Sequence, residues 1–397
     1  MKAIISGGGI GGLTAALCCV HHGIEVSVIE RAPRLGELGA GIQVPPNAMK
    51  VFEALGLETA LSDIGFQPQA IEARMGQSGL HLFDIPLAHT AVERWGSAYL
   101  HIHRADYIAV LEAALRDKAP QTLRLDAEVS GYRQDADGVC VTLANGDTLN
   151  ADILIGADGI HSRVRETMLG AQKPTFTGNV AWRAVVPTGR LEQPPHPTAC
   201  VWMGRGKHCV TYLLRRGELA NFVGVVERDD WTTESWTERG STADALADFE
   251  GWHPTLTGML SEAEVLYRWA LFDRAPLEKW VDGRVALLGD AAHPMLPFLA
   301  QGAAMAVEDA WAIARHLSSG KNVESALHAY QAMRRDRADG AQAGSRANAK
   351  TFHKRTRLAQ MATYGPMWLA GKLAPSLIHA RQDALYGYDV TLAETPK

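Results

Sequence analysis

The 397-residue chain is 47% hydrophobic and 21% charged, ordinary values for a folded globular protein. They exclude a disordered chain, a collagen-like fibre and a disulfide-stapled miniprotein, and the length allows two or three domains at roughly 150 residues each. The formal net charge of −5 offers no basic field to a polyanion, so no nucleic-acid partner is expected. The five cysteines show no C-x-x-C pair and no metal-ligand spacing, which points to a reducing cytoplasmic setting and no metal. No uncharged apolar run is long enough for a membrane span, and because the N-terminus enters an ordered-looking motif at once, no cleaved signal is expected. Glycine is the outlying count, 38 against 18 prolines, about a third above average usage.

In chain order, residues 2–6 read as a short buried strand. Gly7, Gly8, Gly9, Gly11 and Gly12 follow, then a helix over 13–22 closed by Gly23, then a second strand over 24–29 ending at Glu30. This is a strand, glycine turn, helix, strand unit of an α/β sheet. Residues 47–61 and 104–118 have helical patterns. Alternation over 123–143, broken at Asp137-Gly138 and followed by Asn145-Gly146, predicts a β-meander. Residues 151–156 form another parallel-type strand, leading into Ala157-Asp158-Gly159. From about 175 to 275 the texture changes to short strands between turns, at 180–187, 200–204, 208–214 and 220–226, with a helix near 241–251. That pattern predicts an antiparallel sheet with one exposed or ligand-facing side. Parallel texture returns at 284–288, then Gly289-Asp290, a helix near 300–317 and a mostly helical remainder. With no linker between the lobes, the second lobe reads as an insertion into the first.

Gly7, Gly9 and Gly12 form G-x-G-x-x-G directly after a strand. The first permits the tight turn, the second leaves room for a pyrophosphate, and the third lets helix and strand approach. The helix N-terminus offers N–H groups to phosphate. Glu30 closes the second strand, where a carboxylate accepts two ribose hydroxyls. The motif alone leaves FAD and NAD open. Two further strand ends present carboxylates, in Ala157-Asp158-Gly159-Ile160-His161-Ser162 and in Gly289-Asp290-Ala291-Ala292-His293-Pro294. Such placement suits a long ligand lying across several strand ends, and there is no second fingerprint for a separately bound nicotinamide cofactor.

These three motifs, with Gly39-Ala40-Gly41-Ile42-Gln43 and His103-Arg104-Ala105-Asp106, resemble those of the class A flavoprotein aromatic hydroxylases over nearly the whole chain. The branch that acts on salicylate, 3-hydroxybenzoate and 6-hydroxynicotinate is most similar. The resemblance implies a Rossmann-like FAD-binding domain with an inserted antiparallel β-sheet substrate domain, as in para-hydroxybenzoate hydroxylase, and a helical C-terminus. The implied divisions are 1–174 (first part of the FAD-binding domain, with the meander), 175–275 (substrate sheet) and 276–397 (completion and C-terminal helices). Tightly bound FAD, transient NADH or NADPH, and O2 are the implied cofactors. Arg104 would contact the phosphate or sugar region of the flavin, and Asp158 would structure the FAD site and the nicotinamide path. Asp290 would meet the ribityl chain, while Pro294, Gly302 and Ala303 would border the isoalloxazine. Arg31 and Gln43 join this cofactor-binding set.

His208 and Tyr212 are four apart in a predicted strand, so period two puts them on one face with Val210 between, and Cys209, Thr211 and Leu213 on the other. The spacing resembles the pair associated with substrate activation in the 6-hydroxynicotinate and 3-hydroxybenzoate enzymes. A neutral imidazole can accept the ring hydroxyl's proton, which makes the ring a stronger donor toward the flavin C4a-hydroperoxide. Tyrosine can hold the substrate or complete a relay. Gln43 stands where the 6-hydroxynicotinate enzymes carry histidine, and Pro297 and Phe298 replace residues of the 3-hydroxybenzoate type. Arg183, Trp182, His103 and Trp202 are further pocket candidates. The expected activity is hydroxylation of a phenolic or hydroxypyridine carboxylic acid by a monomer or homodimer. An oxidase or epoxidase on the same scaffold, or a flavin-binding module without turnover, are the alternatives.

Overall fold

The computed structural model describes residues 1–36, 40–228, 238–320 and 322–393. Gly39 of the Gly39-Ala40-Gly41 motif lies outside the described residues.

The first body is a six-stranded sheet ordered Val281–Asp282, Val285–Leu287, Ile153–Gly156, Lys2–Ser6, Glu25–Ile29 and Leu123–Arg124. All neighbours are parallel except the first pair. Its central strands read as apolar runs because both faces of the sheet are covered, by helices and by the meander residues Val129, Val139, Val141 and Leu143, which share its core. Helices Ile10–His21 and Gly302–Leu317 pack on it, and their buried residues join the strands in one large apolar core.

Register decides where the motifs go. Ser6 pairs with Ile29 on one side and with Gly156 on the other, and Gly156 pairs with Leu287. The carboxyl ends of four strands are therefore level, and each is followed at once by a motif: Gly7, Glu30, Asp158 and Asp290. That edge, beside the point where strand order reverses, is where open α/β sheets hold ligands.

The second body is a seven-stranded sheet ordered Tyr267–Asp273, Thr175–Pro187, Leu219–Glu227, Lys207–Leu214, Ala199–Gly204, Ala70–Met75 and His81–Pro86. Two strands within 1–174 thus extend the sheet built by 175–275, because Ala70–Met75 pairs in parallel with Ala199–Gly204. One face packs on helices Thr242–Asp248 and Pro254–Glu262 to form a separate apolar core. The other face turns toward the six-stranded sheet. The meander forms as expected from strands Val129–Gln134, Val139–Leu143 and Thr148–Ala151. Three helices, Val323–Phe352, Arg357–Leu373 and Pro375–Tyr386, complete the C-terminal part. Among the described residues no helix is long and apolar enough to cross a membrane.

Candidate active site

A cavity of about 930 Å³ runs from the glycine turn to the open face of the seven-stranded sheet. Its size falls in the range of cofactor and substrate sites. The expected catalytic pair and every expected cofactor-binding residue except Gly12 line it, whereas the further pocket candidates Trp182, Trp202 and His103 do not.

At the glycine turn, Gly7 has φ +106°, and a Cβ there would lie 2.5 Å from the carbonyl oxygen of Ala157. Gly12 works by packing: a Cβ would lie 1.9 Å from the carbonyl oxygen of Gly7. Gly9 has open space where its Cβ would be and caps helix Ile10–His21 with no side-chain bond of its own. The first-turn N–H groups are thus presented to the cavity beside a backbone with no side chain in the way, as an anionic phosphate requires. Glu30 accepts N–H bonds from Gly8 at 2.6 Å and Ala32 at 2.8 Å. The same carboxylate therefore fixes the turn and lines the cavity, and its spare lone pairs suit a ribose.

Asp158 accepts from the backbone N–H groups of Arg163 (2.8 Å) and Val164 (3.2 Å), so it pins the turn into helix Arg163–Leu169. Burial pushes its carboxyl up, against the pull of Ser162 and these N–H donors. Its other oxygen has no protein partner. Asp290 opens onto the cavity from within the protein, and that enclosure raises its carboxyl while His293, Arg104 and Arg165 pull the other way.

The residues that brace these loops carry no motif. Arg165 is buried and donates to Ala291 O at 2.9 Å and also to Ile160 O, tying the Asp158 loop to the Asp290 loop. Burial, and then Arg274, lower this guanidinium to about 10. Asp309 Oδ2 accepts from Gly289 N at 3.1 Å and lies 2.5 Å from His293 Nε2, and its Oδ1 accepts from Arg334 at 2.8 Å. Arg334 also meets Glu308 at 2.5 Å, and all three are fully buried. Asn47 adds a bond to Glu308 at 2.6 Å and to Gln301 at 3.1 Å.

The substrate end follows from strand parity. His208 pairs with Val225, Val225 with Ala181 and Ala181 with Trp269, so these four share one row. Val210, Val223 and Arg183 form the next row, and Tyr212 lies opposite Asn221. His208, Val210, Tyr212, Arg183 and Trp269 all line the cavity. The neighbouring parity holds Cys209, Gly224, Trp182 and Trp202, which face the second apolar core. Trp182 donates to Asp248 at 2.7 Å and Trp202 to Thr211 at 2.9 Å. These two tryptophans are therefore structural and not pocket residues, a correction that even-numbered spacing along different strands does not reveal until the register is known. His103 also lies off the cavity, 3.9 Å from Asp106.

Burial lowers the His208 imidazole well below its usual value, and the neighbouring His353 lowers it further, so it sits neutral as a base. Burial pushes the Tyr212 phenol up, with Arg183 and Arg104 pulling against it. The Arg183 guanidinium lies 4.9 Å from the Trp269 ring centre. Behind the wall, Gly41 is in contact range of the Tyr212 ring, where a Cβ would come within 2.4 Å, and Asn221 accepts the Gly41 N–H at 2.8 Å. Gln43 accepts from Tyr99 O–H at 2.5 Å.

The family called FAD binding domain matches residues 1–345. The 6-hydroxynicotinate 3-monooxygenase of Pseudomonas fluorescens is 40% identical over 349 residues, 86% of this chain and 89% of its own length. The chain belongs to the class A FAD-dependent aromatic hydroxylases. The 3-hydroxybenzoate 6-hydroxylase 1 of Aquipseudomonas alcaligenes is 35% identical over 97% of both chains. Klebsiella pneumoniae HpxO, complexed with FAD and uric acid, superposes with a TM-score of 0.86 at 28% identity, covering 98% of this chain and 97% of that one. The chain shares with these hydroxylases the Rossmann FAD-binding fold with an inserted substrate sheet.

Proposed function

We propose that this protein hydroxylates the ring of a hydroxylated aromatic or hydroxypyridine carboxylic acid, of the 6-hydroxynicotinate, 3-hydroxybenzoate or salicylate type, using NADH or NADPH and O2. The observation that carries the reading is the convergence in one cavity of the nucleotide end and the His208–Tyr212 face. The relatives named for 6-hydroxynicotinate and 3-hydroxybenzoate support the substrate class.

The flavin supplies the oxygen-activating redox chemistry when bound, and the rest falls to this chain's residues. Gly7, Gly9 and Gly12 shape the phosphate turn, Glu30 and Arg31 receive the adenosine side, and Arg104 and Asp158 flank the middle. Asp290, Pro294, Gly302 and Ala303 border the ring system, and Gln43 lies between the two ends. His208 takes the proton from the substrate's ring hydroxyl at its ring nitrogen Nε2, which raises electron density on the ring carbon that reacts. Tyr212 hydrogen-bonds the substrate beside it. Arg183 gives this end of the cavity the positive charge that a substrate carboxylate needs. Val210, Val223, Trp269 and Phe298 keep water from the reacting centre. Residues 1–174 and 276–397 serve the cofactor in this scheme, and 175–275 form most of the substrate wall.

The test is a product-identified screen of salicylate, 3-hydroxybenzoate, 4-hydroxybenzoate and 6-hydroxynicotinate against NADH and NADPH. An oxygenated product with matched consumption of reduced nicotinamide and O2 supports hydroxylation. Oxidation of the acid without incorporated oxygen identifies an oxidase. No substrate-dependent turnover with any acid removes the reading.

A further inference from the structure

Behind the cavity wall, His208 continues into a chain of titratable groups. Its Nδ1 lies 2.6 Å from Nε2 of His353, 145 residues away at the end of helix Val323–Phe352. Nδ1 of His353 lies 3.3 Å from a carboxylate oxygen of Glu227, at the end of the neighbouring strand. The second Glu227 oxygen accepts from Arg355 at 2.7 Å. Exposure rises along this line: the His208 residue is 1% exposed, the His353 side chain 2% and the Glu227 side chain 26%. The outer end opens on a shallow surface basin lined by Arg205, Lys207, Arg228 and Arg355. Phe298 and Phe352 pack against the His208 ring at 5.0 and 5.1 Å, so water does not reach it from the flanks.

We propose that His208, His353 and Glu227 form a relay that carries the substrate's hydroxyl proton from the cavity to the protein surface. The proposal rests on the reading that this hydroxyl meets His208. The close imidazole contact needs one donor and one acceptor. With the proton on Nδ1 of each ring, His208 donates to His353 and His353 donates to Glu227, and Nε2 of His208 is left as the base facing the cavity. When Nε2 takes the substrate proton, the Nδ1 proton of His208 moves to Nε2 of His353. The Nδ1 proton of His353 then moves to Glu227, which releases it to water. One proton enters and one leaves, both imidazoles end neutral with the proton on Nε2, and the substrate keeps one negative charge. The starting tautomers return when the Nε2 proton of His208 passes to the anionic product as it leaves the cavity and one proton from water re-enters through Glu227, His353 Nδ1 and His208 Nδ1.

The groups that face these members fit the direction of travel. Burial and His353 disfavour a cation at His208. At His353 burial also disfavours the cation, while Glu227 favours it and Arg355 opposes it. A proton is therefore drawn outward, away from the more enclosed imidazole. A purely structural histidine pair would orient the His208 ring equally well at every pH, and this difference is measurable.

The experiment uses the FAD-loaded enzyme with whichever acid of the screen turns over, 6-hydroxynicotinate first. Proton release to an indicator dye and single-turnover hydroxylation are followed by stopped flow from about pH 6 to pH 9. In His353→Gln both rates fall by about tenfold or more at neutral pH, with FAD content and the dissociation constant of the acid unchanged. The deficit narrows as pH rises, because substrate ionised by hydroxide bypasses the relay. Glu227→Gln shows the same pH dependence, and Glu227→Asp restores the wild-type profile. If His353→Gln loses FAD, the surface variant decides. Variants whose rates run parallel to wild type across the pH range, or match it, overturn the relay and leave the hydroxylase reading standing. A wild type inert toward every acid overturns both.

Discussion

Replacing Arg334 with methionine isolates the energetic role of the buried ionic cluster. Arg334 is fully buried and bridges Glu308 at 2.5 Å and Asp309 at 2.8 Å. Burial works against its charge, but the two carboxylates more than offset that and hold it above the ordinary arginine value. In the variant Asp309 keeps His293 and the Gly289 N–H, and Glu308 keeps Arg337 and Asn47, so neither acid is stranded but each loses a charged partner. Breaking a buried pair on one side costs about 3–5 kcal/mol. Linkage gives an independent check. Burial raises the Asp309 carboxyl, yet His293 and Arg334 outweigh it and hold the group down to about 2. A depressed carboxylate contributes stability that is present above the unfolded value near 4 and lost as pH falls toward about 2, a contribution of roughly 2–3 kcal/mol at neutral pH. Without Arg334 the Asp309 value rises and most of that contribution goes. The gap between variant and wild type in urea unfolding at saturating FAD should therefore be widest above about pH 5 and shrink below about pH 4. FAD affinity should fall as well, because Asp309 holds Gly289 and through it the Asp290 loop. Arg124→Met, which breaks an exposed pair with Asp147, should leave the curve unmoved. A loss in Arg334→Met under about 1 kcal/mol at pH 7, or one independent of pH, would refute the reasoning.

Gly12→Ala should weaken FAD binding by tenfold or more, about 1.4 kcal/mol, since its Cβ would meet the Gly7 carbonyl oxygen at 1.9 Å. Gly11→Ala meets only the Leu288 and Ala306 side chains, at 3.1–3.2 Å, and should bind nearly normally by flavin fluorescence titration. His208→Ala should slow product formation by about a hundredfold, or divert reducing equivalents to peroxide, while FAD content holds; equal coupling and turnover would remove its role. Trp182→Ala should cost about 3–5 kcal/mol in unfolding with KM for the acid unchanged, because the ring faces the second core; a raised KM with intact stability would put it back in the pocket.

The nucleotide end was legible because its chemistry is local. A tight turn, a close phosphate and a helix start demand glycines at fixed offsets, and a ribose needs an acid at the next strand end. The levelled strand ends then bring Gly7, Glu30, Asp158 and Asp290 to one edge without further instruction. The His208–Tyr212 face was legible for the same reason, since period two acts within one strand. Trp182 and Trp202 were misplaced because parity within a strand says nothing about facing until strands are paired. Ala70–Met75 and His81–Pro86 were missed as members of the large sheet because they join it through the non-local pairing of Ala70–Met75 with Ala199–Gly204, and His81–Pro86 pairs only with Ala70–Met75.

The bracing residues were invisible for a different reason. Arg165, Arg334 and His353 sit in or at the end of polar helical stretches, where one more arginine or histidine is unremarkable. Only the fold shows that they point inward. Asn221 carried the one available signal, a lone amide in the apolar strand Leu219–Glu227, and it proves to hold the Gly41 backbone behind Tyr212. The division has a physical cause. Groups that meet a cofactor must satisfy a fixed external shape, so their spacing is constrained along the chain. Groups that hold those residues in place need only reach a loop from some neighbouring element, and many positions serve. Arg165 ties two strand-end loops from a helix, Asp309 holds one of them from a second helix, and Arg334 holds Asp309 from a third. His353 belongs to this second kind by position and to the first by chemistry, because it touches the proposed base and not a loop.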